Sequence, residues 1–368
     1  MKTRLSVAEK TITYVASTEY DGGAERHIKR LAETVQPDWT VSLLGHLEAS
    51  RGALRTLGTY ALGGKWVTRN LPLAFVRLPF ERRKALRAAK ESPSLIYHMH
   101  FKREQIGFSR AFSRLGSVIW TEHGVFPERL FGLILRPFYR RASRHVDTIA
   151  CVSEKVRDSL TVVLGSDKKL IVIPNAIDVA RYKEARLEER DAARMNFSFP
   201  SERRVALVIG RLAAAKRPAL AVDAALAAGC LVLVAGSGPE EAQLLARYEQ
   251  VKEVVIVGEV DDTRQLWAAA DVHLFLSNGE GEGLPTVLLE AAASSVPSVA
   301  AVDGGFGELA VSLGGIVADP TVQAIASAIK ASEVLTIDQN VLREYDLVSW
   351  RLRHLQMYEK AVRDVKYE

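Results

Sequence analysis

Three observations predict an α/β fold made of two doubly wound, Rossmann-like domains. Short apolar runs alternate with helical patterns along the whole sequence, and the alternation is repeated in the second half. Strands recurring with helices between them belong to parallel sheets covered on both faces. At 368 residues the chain is too long for one ordinary core and suits two.

The first half places strands at 11–17, 40–44, 95–99, 118–121, 148–152 and 170–173, each a short run rich in β-branched or other apolar residues. Helices are expected between them at 24–35, 82–90, 104–115, 128–144 and 154–164. The second half repeats the scheme with strands at 205–210, 230–235, 254–257, 272–276, 298–301 and 315–317. Residues 181–203 are polar and charge-rich, end near Pro200 and read as the interdomain connection. The final segment, 348–366, reads as an amphipathic helix with Trp350, Leu352, Leu355, Tyr358 and Val362 on its apolar face. The domain expectation is 1–178 joined by 348–368, and 179–347.

Composition narrows the function classes. Nearly half the residues are hydrophobic and a quarter charged, which is globular and not disordered. Apolar runs stay short of the ~18–20 residues that span a bilayer. Cys151 and Cys230 sit far apart in apolar runs and read as core residues in a reducing, cytoplasmic compartment. Residues 1–175 hold 29 Lys+Arg against 16 Asp+Glu, whereas the remainder holds 20 against 28. No nucleic-acid signature accompanies this basic half, so an anionic membrane surface or an anionic acceptor suits it as well.

The most informative segment is Ser277-Asn-Gly-Glu-Gly-Glu-Gly-Leu-Pro-Thr-Val-Leu-Leu-Glu290, between a strand and an alanine-rich helix with Pro285 at its expected first position. A Gly-rich turn and a helix N-terminus present free N–H groups and the positive dipole end to an anion. Glu282 and Glu290 bracket that spot, as suits a phosphate carrying hydroxyl-rich groups. Arg211 and Lys216 follow the strand ending at Gly210, at the sheet edge where α/β folds bind ligands; two cations there would neutralise a diphosphate, although a solvated basic loop has the same pattern. Gly236, Gly238 and Gly258 end strands in turns that fit either ligand contact or ordinary βα connections. Gly22 and Gly23 permit a close backbone approach or simply a tight turn. His123 ends an apolar strand and points toward the expected crevice, with an ordinary loop histidine as the alternative. His98 and His100 share one strand face without the carboxylate or Cys spacing of a zinc site. The helices at 82–90 and 128–144 are basic and amphipathic, as surface helices and lipid-binding helices both are.

Taken together, Gly22-Gly23-Ala24-Glu25, Thr121-Glu-His123-Gly, Val152-Ser153-Glu154, Pro174-Asn175-Ala176, Gly210-Arg211 with Lys216, Gly236-Ser-Gly238-Pro, Glu282-Gly-Leu-Pro with Glu290, and Gly304-Gly305 with Glu308 resemble the family 4 glycosyltransferases. Ala176 departs from the family, where Gly is more usual. The resemblance implies a GT-B fold, two Rossmann-like domains facing a central cleft with a terminal helix returning to the first. It also implies retaining, metal-independent hexosyl transfer with no cofactor. The donor would be a nucleotide-diphosphate sugar, UDP-linked in preference to GDP-linked, and the acceptor a glycan, lipid-linked or small-molecule hydroxyl. Arg211 and Lys216 would hold the diphosphate with N–H groups around Gly283, Leu284, Pro285 and Thr286; Glu290 the ribose; Glu282 and His123 the sugar; Gly22, Gly23 and Gly258 would contact the donor through their backbone. A peripheral position on the cytoplasmic membrane face agrees with the basic first half. A nucleotide-sugar epimerase or phosphorylase on the same fold, and a non-catalytic basic membrane or nucleic-acid adaptor, are the rival readings.

Overall fold

The computed structural model describes residues 10–18, 23–47, 54–60, 71–127, 130–332 and 337–365. The chain divides into two compact units. One comprises Met1–Asn175, Gly281–Leu284 and Val348–Glu368; the other comprises Ala176–Glu280 and Pro285–Leu347.

The first unit runs β1 (Thr11–Thr18), α1 (Gly23–Val35), β2 (Thr40–Leu47), β3 (Arg55–Gly58), α2 (Leu71–Glu91), β4 (Ile96–Met99), α3 (Lys102–Phe112), β5 (Ser117–Glu122), α4 (Leu130–Ser143), β6 (Thr148–Cys151), α5 (Glu154–Leu164) and β7 (Leu170–Val172). Among the described residues its sheet is seven-stranded and parallel, in the order β3-β2-β1-β4-β5-β6-β7. Order reverses between β1 and β4, and the carboxyl ends at such a reversal are where open α/β sheets bind ligands. The central strands are buried on both faces, Ile12, Tyr14, Ile96, Tyr97, Ile119 and Trp120 all at 0% exposure, which is why they read as continuous apolar runs.

The second unit runs α6 (Leu187–Asn196), β8 (Val205–Ile209), α7 (Pro218–Ala227), β9 (Leu231–Ala235), α8 (Glu241–Tyr248), β10 (Val254–Ile256), α9 (Arg264–Ala269), β11 (Val272–Phe275), α10 (Thr286–Ala293), β12 (Ser298–Ala301), α11 (Gly307–Ser312), β13 (Ile316–Ala318) and α12 (Val322–Ala331). Among the described residues its sheet has six parallel strands in the order β10-β9-β8-β11-β12-β13, with the reversal between β8 and β11. Period-two alternation is legible in its packing. Ala206 and Val208 join one apolar cluster with Val232, Val234 and Leu274, while Val205 and Leu207 join another with Leu231, Leu233 and Trp267.

Four expectations are corrected. The charge-rich stretch expected to be a connection is folded, because α6 buries Ala193 and Arg194 against the second unit. There the Arg194 guanidinium donates to Asp271 and to the carbonyls of Ala269 and Ser201. The strand β3 was not foreseen: Arg55-Thr-Leu-Gly58 is a short, mostly exposed edge without an alternating pattern. The helix expected at 82–90 begins at Leu71 and continues through Pro79 as α2. Finally, the last helix, α13 (Leu347–Val365), buries Trp350, His354, Met357, Tyr358 and Ala361 and leaves Leu352 at 49% exposure. These spacings of three and four residues follow the helical period more closely than the expected stripe. Within the first unit, α13 is tied down by the Tyr358 hydroxyl, 3.3 Å from that of Tyr14, and by an Arg351–Asp38 ion pair.

Candidate functional site

In the first unit, the strand ends at the order reversal carry a compact group of imidazoles and aromatic rings. His98 and His100 lie on one face of β4 and its end, and both are buried. His98 contacts the Tyr358 hydroxyl through Nδ1 at 2.9 Å and Thr121 Oγ1 through Nε2 at 2.8 Å. The half-buried His123 follows β5, and its Nε2 lies 3.2 Å from His100 Nδ1. The His27 ring, from α1, stands edge-on to His123 at 4.7 Å and to Trp350 at 5.0 Å. Burial pushes the pKa of His27, His98, His100 and His123 well below the ordinary histidine value, with neighbouring imidazoles adding to the shift. His354 falls to about 4 for the same first reason. These rings are neutral near pH 7, so they can exchange hydrogen bonds with hydroxyl groups but cannot neutralise a phosphate.

Buried polar contacts fix the end of β5. Glu122 accepts from the Lys102 ammonium at 2.6 Å and from the Tyr139 hydroxyl at 2.8 Å, which orients the chain as it enters His123. The segment Gly281–Leu284 packs onto this end. A Cβ on Gly283 would stand 2.0 Å from the His123 carbonyl oxygen and 2.7 Å from Val152 Cγ2, so only glycine fits. Ser153 Oγ donates to the Gly283 carbonyl at 2.9 Å while also accepting from Val156 N as the N-cap of α5. The Asn175 amide donates to the Leu284 carbonyl at 3.1 Å. Its oxygen therefore faces His27 Nδ1 at 3.0 Å, which requires that nitrogen to carry the proton. Glu282 is half-buried within this clamped segment.

In the second unit, backbone packs directly on backbone at the strand ends. A Cβ on Gly236 (φ +126°) would lie 1.9 Å from the Gly210 carbonyl oxygen, and one on Gly238 would lie 2.3 Å from that of Leu212. Gly236 N donates to the Gly258 carbonyl at 2.7 Å, and Gly210 N to that of Ala235 at 3.0 Å. The turn after β8 carries Arg211, exposed and without an ion pair among the described residues, and the half-buried Lys216. The Lys216 ammonium lies 5.6 Å from the Phe275 ring centroid, and burial lowers its pKa to about 8. Neighbouring Arg217 is committed to Asp303 through two contacts of 2.8 and 2.5 Å. Asn278 N donates to the Ala215 carbonyl at 2.9 Å and so joins the loop after β11 to the Lys216 turn.

Helix α10 starts at Thr286, and Pro285 is its N-cap rather than its first residue. Its first N–H groups lack intrahelical partners, as at any helix start. Glu290 lies roughly 6 Å along the axis from Thr286, at ~1.5 Å per residue. Its carboxylate accepts from the Trp267 indole N–H at 3.2 Å.

The sequence-derived residues thus fall into two sets. The first unit holds Gly23, His123, Glu282, Gly283 and Leu284; the second holds Arg211, Lys216, Gly258, Pro285, Thr286 and Glu290. Gly22 lies outside the described residues. A Cβ on Gly23 or Gly258 meets nothing within 4 Å, so packing does not demand glycine there, although Gly258 has φ +71°. Sequence reasoning missed the supporting roles of Asn175, Ser153, Glu122 and Trp267. Asn175, Ser153 and Glu122 stood inside quoted motifs, but the partners of the first two lie more than a hundred residues away. Among the described residues no group of three or more His, Cys, Asp or Glu side chains is arranged to hold a metal ion. Elsewhere in the second unit a polar depression is lined by Arg190, Arg194, Arg204 and Asp271. Its arginines are engaged with Asp271, Ser332 and backbone carbonyls, which marks it as structural.

Comparison with known proteins agrees with this geometry. Residues 21–181 match the family model for glycosyltransferase family 4, and residues 189–345 match that for group 1 glycosyl transferases. A Bacillus subtilis glycosyltransferase assigned to teichuronic acid biosynthesis, TuaC, is 28% identical over 66% of this chain and 61% of its own length. A Corynebacterium glutamicum GDP-mannose-dependent monoacylated phosphatidylinositol monomannoside mannosyltransferase is 27% identical over 50% of this chain and 52% of its own. The chain therefore spans between half and two thirds of these two relatives. Among solved structures, Anabaena HepE in complex with UDP superposes with a TM-score of 0.79 at 18% identity, covering 95% of this chain and 100% of that one. With its two matching regions and its paired parallel sheets, the chain belongs to the family 4 glycosyltransferases and has their GT-B fold.

Proposed function

We propose that the protein transfers a hexose-type sugar from a nucleotide-diphosphate sugar to a hydroxyl acceptor, with retention of anomeric configuration and without a metal ion. One observation carries the reading. At the order reversal of the second sheet, the Lys216 turn is hydrogen-bonded to the loop that leads into α10, so a cation and a helix N-terminus share one sheet edge. That combination suits a diphosphate. UDP is the favoured nucleotide, since HepE is described with UDP and UDP-glucose, and GDP is the alternative named by the mannosyltransferase. A glycan or lipid-linked acceptor agrees with the teichuronic acid and phosphatidylinositol mannoside relatives.

In this reaction the bond from the anomeric carbon to the diphosphate oxygen breaks, and negative charge grows on the leaving group. Arg211, Lys216 and the first N–H groups of α10 stabilise that charge without reorganising. Glu290, held by Trp267, takes the ribose hydroxyls. Glu282 and His123 contact the sugar; because His123 Nε2 is engaged with His100, its Nδ1 is the atom left for a ligand. The acceptor oxygen bonds to the anomeric carbon, and its proton passes to the departing phosphate oxygen, so the step needs no separate base. A cytoplasmic location and a peripheral contact with an anionic membrane complete the proposal.

Glu282→Ala, Lys216→Ala and His123→Ala should each fold and lose at least ~10²-fold in turnover, the range for removing one transition-state contact. Near-normal turnover in all three would refute the assignment. Product NMR that reports inversion, or activity abolished by chelation and restored by a divalent ion, would correct the mechanism.

A further inference from the structure

Helices α2 and α4 of the first unit expose apolar side chains that a solvated surface would not group. On α2, Leu73, Val76 and Phe80 are 55%, 66% and 68% exposed, and their spacing of three and four residues places them on one face. On α4, Leu133, Ile134 and Phe138 are also exposed. The Phe75 and Phe138 rings are 5.1 Å apart, so the two helices, both packed on α3, meet at that point. Single exposed apolar residues are ordinary, but a contiguous group marks an interaction surface.

Charge follows the same faces. The α2 stripe continues as Arg83, Lys84 and Arg87, and the α4 stripe as Arg141, all exposed and none in an ion pair among the described residues. Over its length α2 has six Lys or Arg against Glu81 and Glu91, and α4 has three Arg and no acid. Arg136 and Arg140 are tied to the Val162 and Val163 carbonyls of α5, which anchors α4. A second copy of the chain would bring the same cations face to face. A polynucleotide would leave the apolar stripe unused. An anionic bilayer satisfies both, apolar side chains entering the acyl boundary and cations meeting the headgroups.

We propose that the α2–α4 face docks on an anionic lipid bilayer, with Leu73, Val76, Phe80, Leu133, Ile134 and Phe138 inserted and Arg83, Lys84, Arg87 and Arg141 at the phosphates. This names the surface for the peripheral contact proposed above and is independent of the transfer chemistry.

Co-sedimentation of the full chain with vesicles tests it. Binding should occur with phosphatidylcholine vesicles containing phosphatidylglycerol, fall with salt, and be weak with phosphatidylcholine alone. The double variants Val76→Ser/Phe80→Ser and Arg83→Glu/Lys84→Glu should each weaken it on the order of tenfold or more. Because these side chains are exposed, melting temperature and UDP binding should stay at wild-type values, which separates loss of docking from failure of the donor site. If the α2 variants fail to fold, Leu133→Glu on α4 supplies the same reading. Equal binding to both vesicle types, variants that sediment like wild type, or a self-association that Phe80→Ser abolishes would each overturn the proposal.

Discussion

The two units share a strand order yet finish their ligand-side edges with different materials. At the first sheet's edge, side chains do the work: His27, His98, His100, His123 and His354 pack with Tyr14, Trp350 and Tyr358. In the second sheet, the corresponding edge is mostly backbone, with Gly236 and Gly238 lying against the carbonyls of Gly210 and Leu212. A side-chain edge gives adjustable, neutral hydrogen-bonding groups suited to hydroxyls. A backbone edge gives fixed N–H dipoles and leaves room for a bulky anionic ligand close to the sheet. The difference teaches that one topology supports either recognition chemistry, depending on whether residues after the strands carry a Cβ.

The sharpest way to break this comparison is to add one methyl group. Gly236→Ala should cost more than about 4 kcal/mol or abolish folding, because its Cβ would overlap a backbone oxygen that cannot move aside. Gly23→Ala, where a Cβ meets nothing, should melt close to wild type. Equal melting curves for the two variants would remove the backbone-edge idea.

Acid should separate the units next. Burial holds His27, His98, His100, His123 and His354 below the ordinary histidine value when folded, so the unfolded chain binds more protons as pH falls through 6.5, and stability drops as the medium becomes more acid. Each contributes up to about 1.4 kcal/mol per pH unit in that window. The second unit has one comparable ring, His273, lowered to about 3. Hydrogen exchange at pH 5 should therefore show the first unit opening before the second; the reverse order would contradict the assignment of these rings as buried and neutral.

A smaller effect concerns Lys216. Its pKa of about 8 means that free enzyme loses this cation above that pH, so kcat/KM should fall about tenfold per unit on the alkaline limb. Lys216→Arg should move that limb upward, and an unchanged profile would mean that another group titrates there. Smallest is Trp267→Phe, which removes one hydrogen bond to Glu290. It should cost about 1 kcal/mol and raise the donor KM by roughly fivefold with kcat little changed.

How much of this was legible in advance depended on the range of the signal. Strand periodicity is local, so the strands of both sheets could be anticipated but not their order, which only the structure supplies; motif spacing selected Lys216, His123, Glu282 and Glu290 as candidates. The edge strand β3 and the helix α6 escaped because neither follows a clear hydrophobic pattern. Arg194 looks solvent-bound in a charge-rich run, and only its buried contact with Asp271 reveals otherwise. Leu352 looked like a core residue, and the true face of α13 includes His354 instead.

Composition and short-range pattern alone determined the α/β class, the repeat of the alternation, the basic first half and the glycine-rich turns before α10. Tertiary structure decided which residues support the candidate site: Asn175 bridging His27 and the Leu284 carbonyl, Ser153 serving both a helix cap and the Gly283 carbonyl, Trp267 donating to Glu290. The physical reason is one of distance. Periodicity and turn chemistry act over a few residues and are written consecutively in the chain. A hydrogen bond between partners more than a hundred residues apart leaves no mark on either neighbourhood until the sheets bring them within 3 Å.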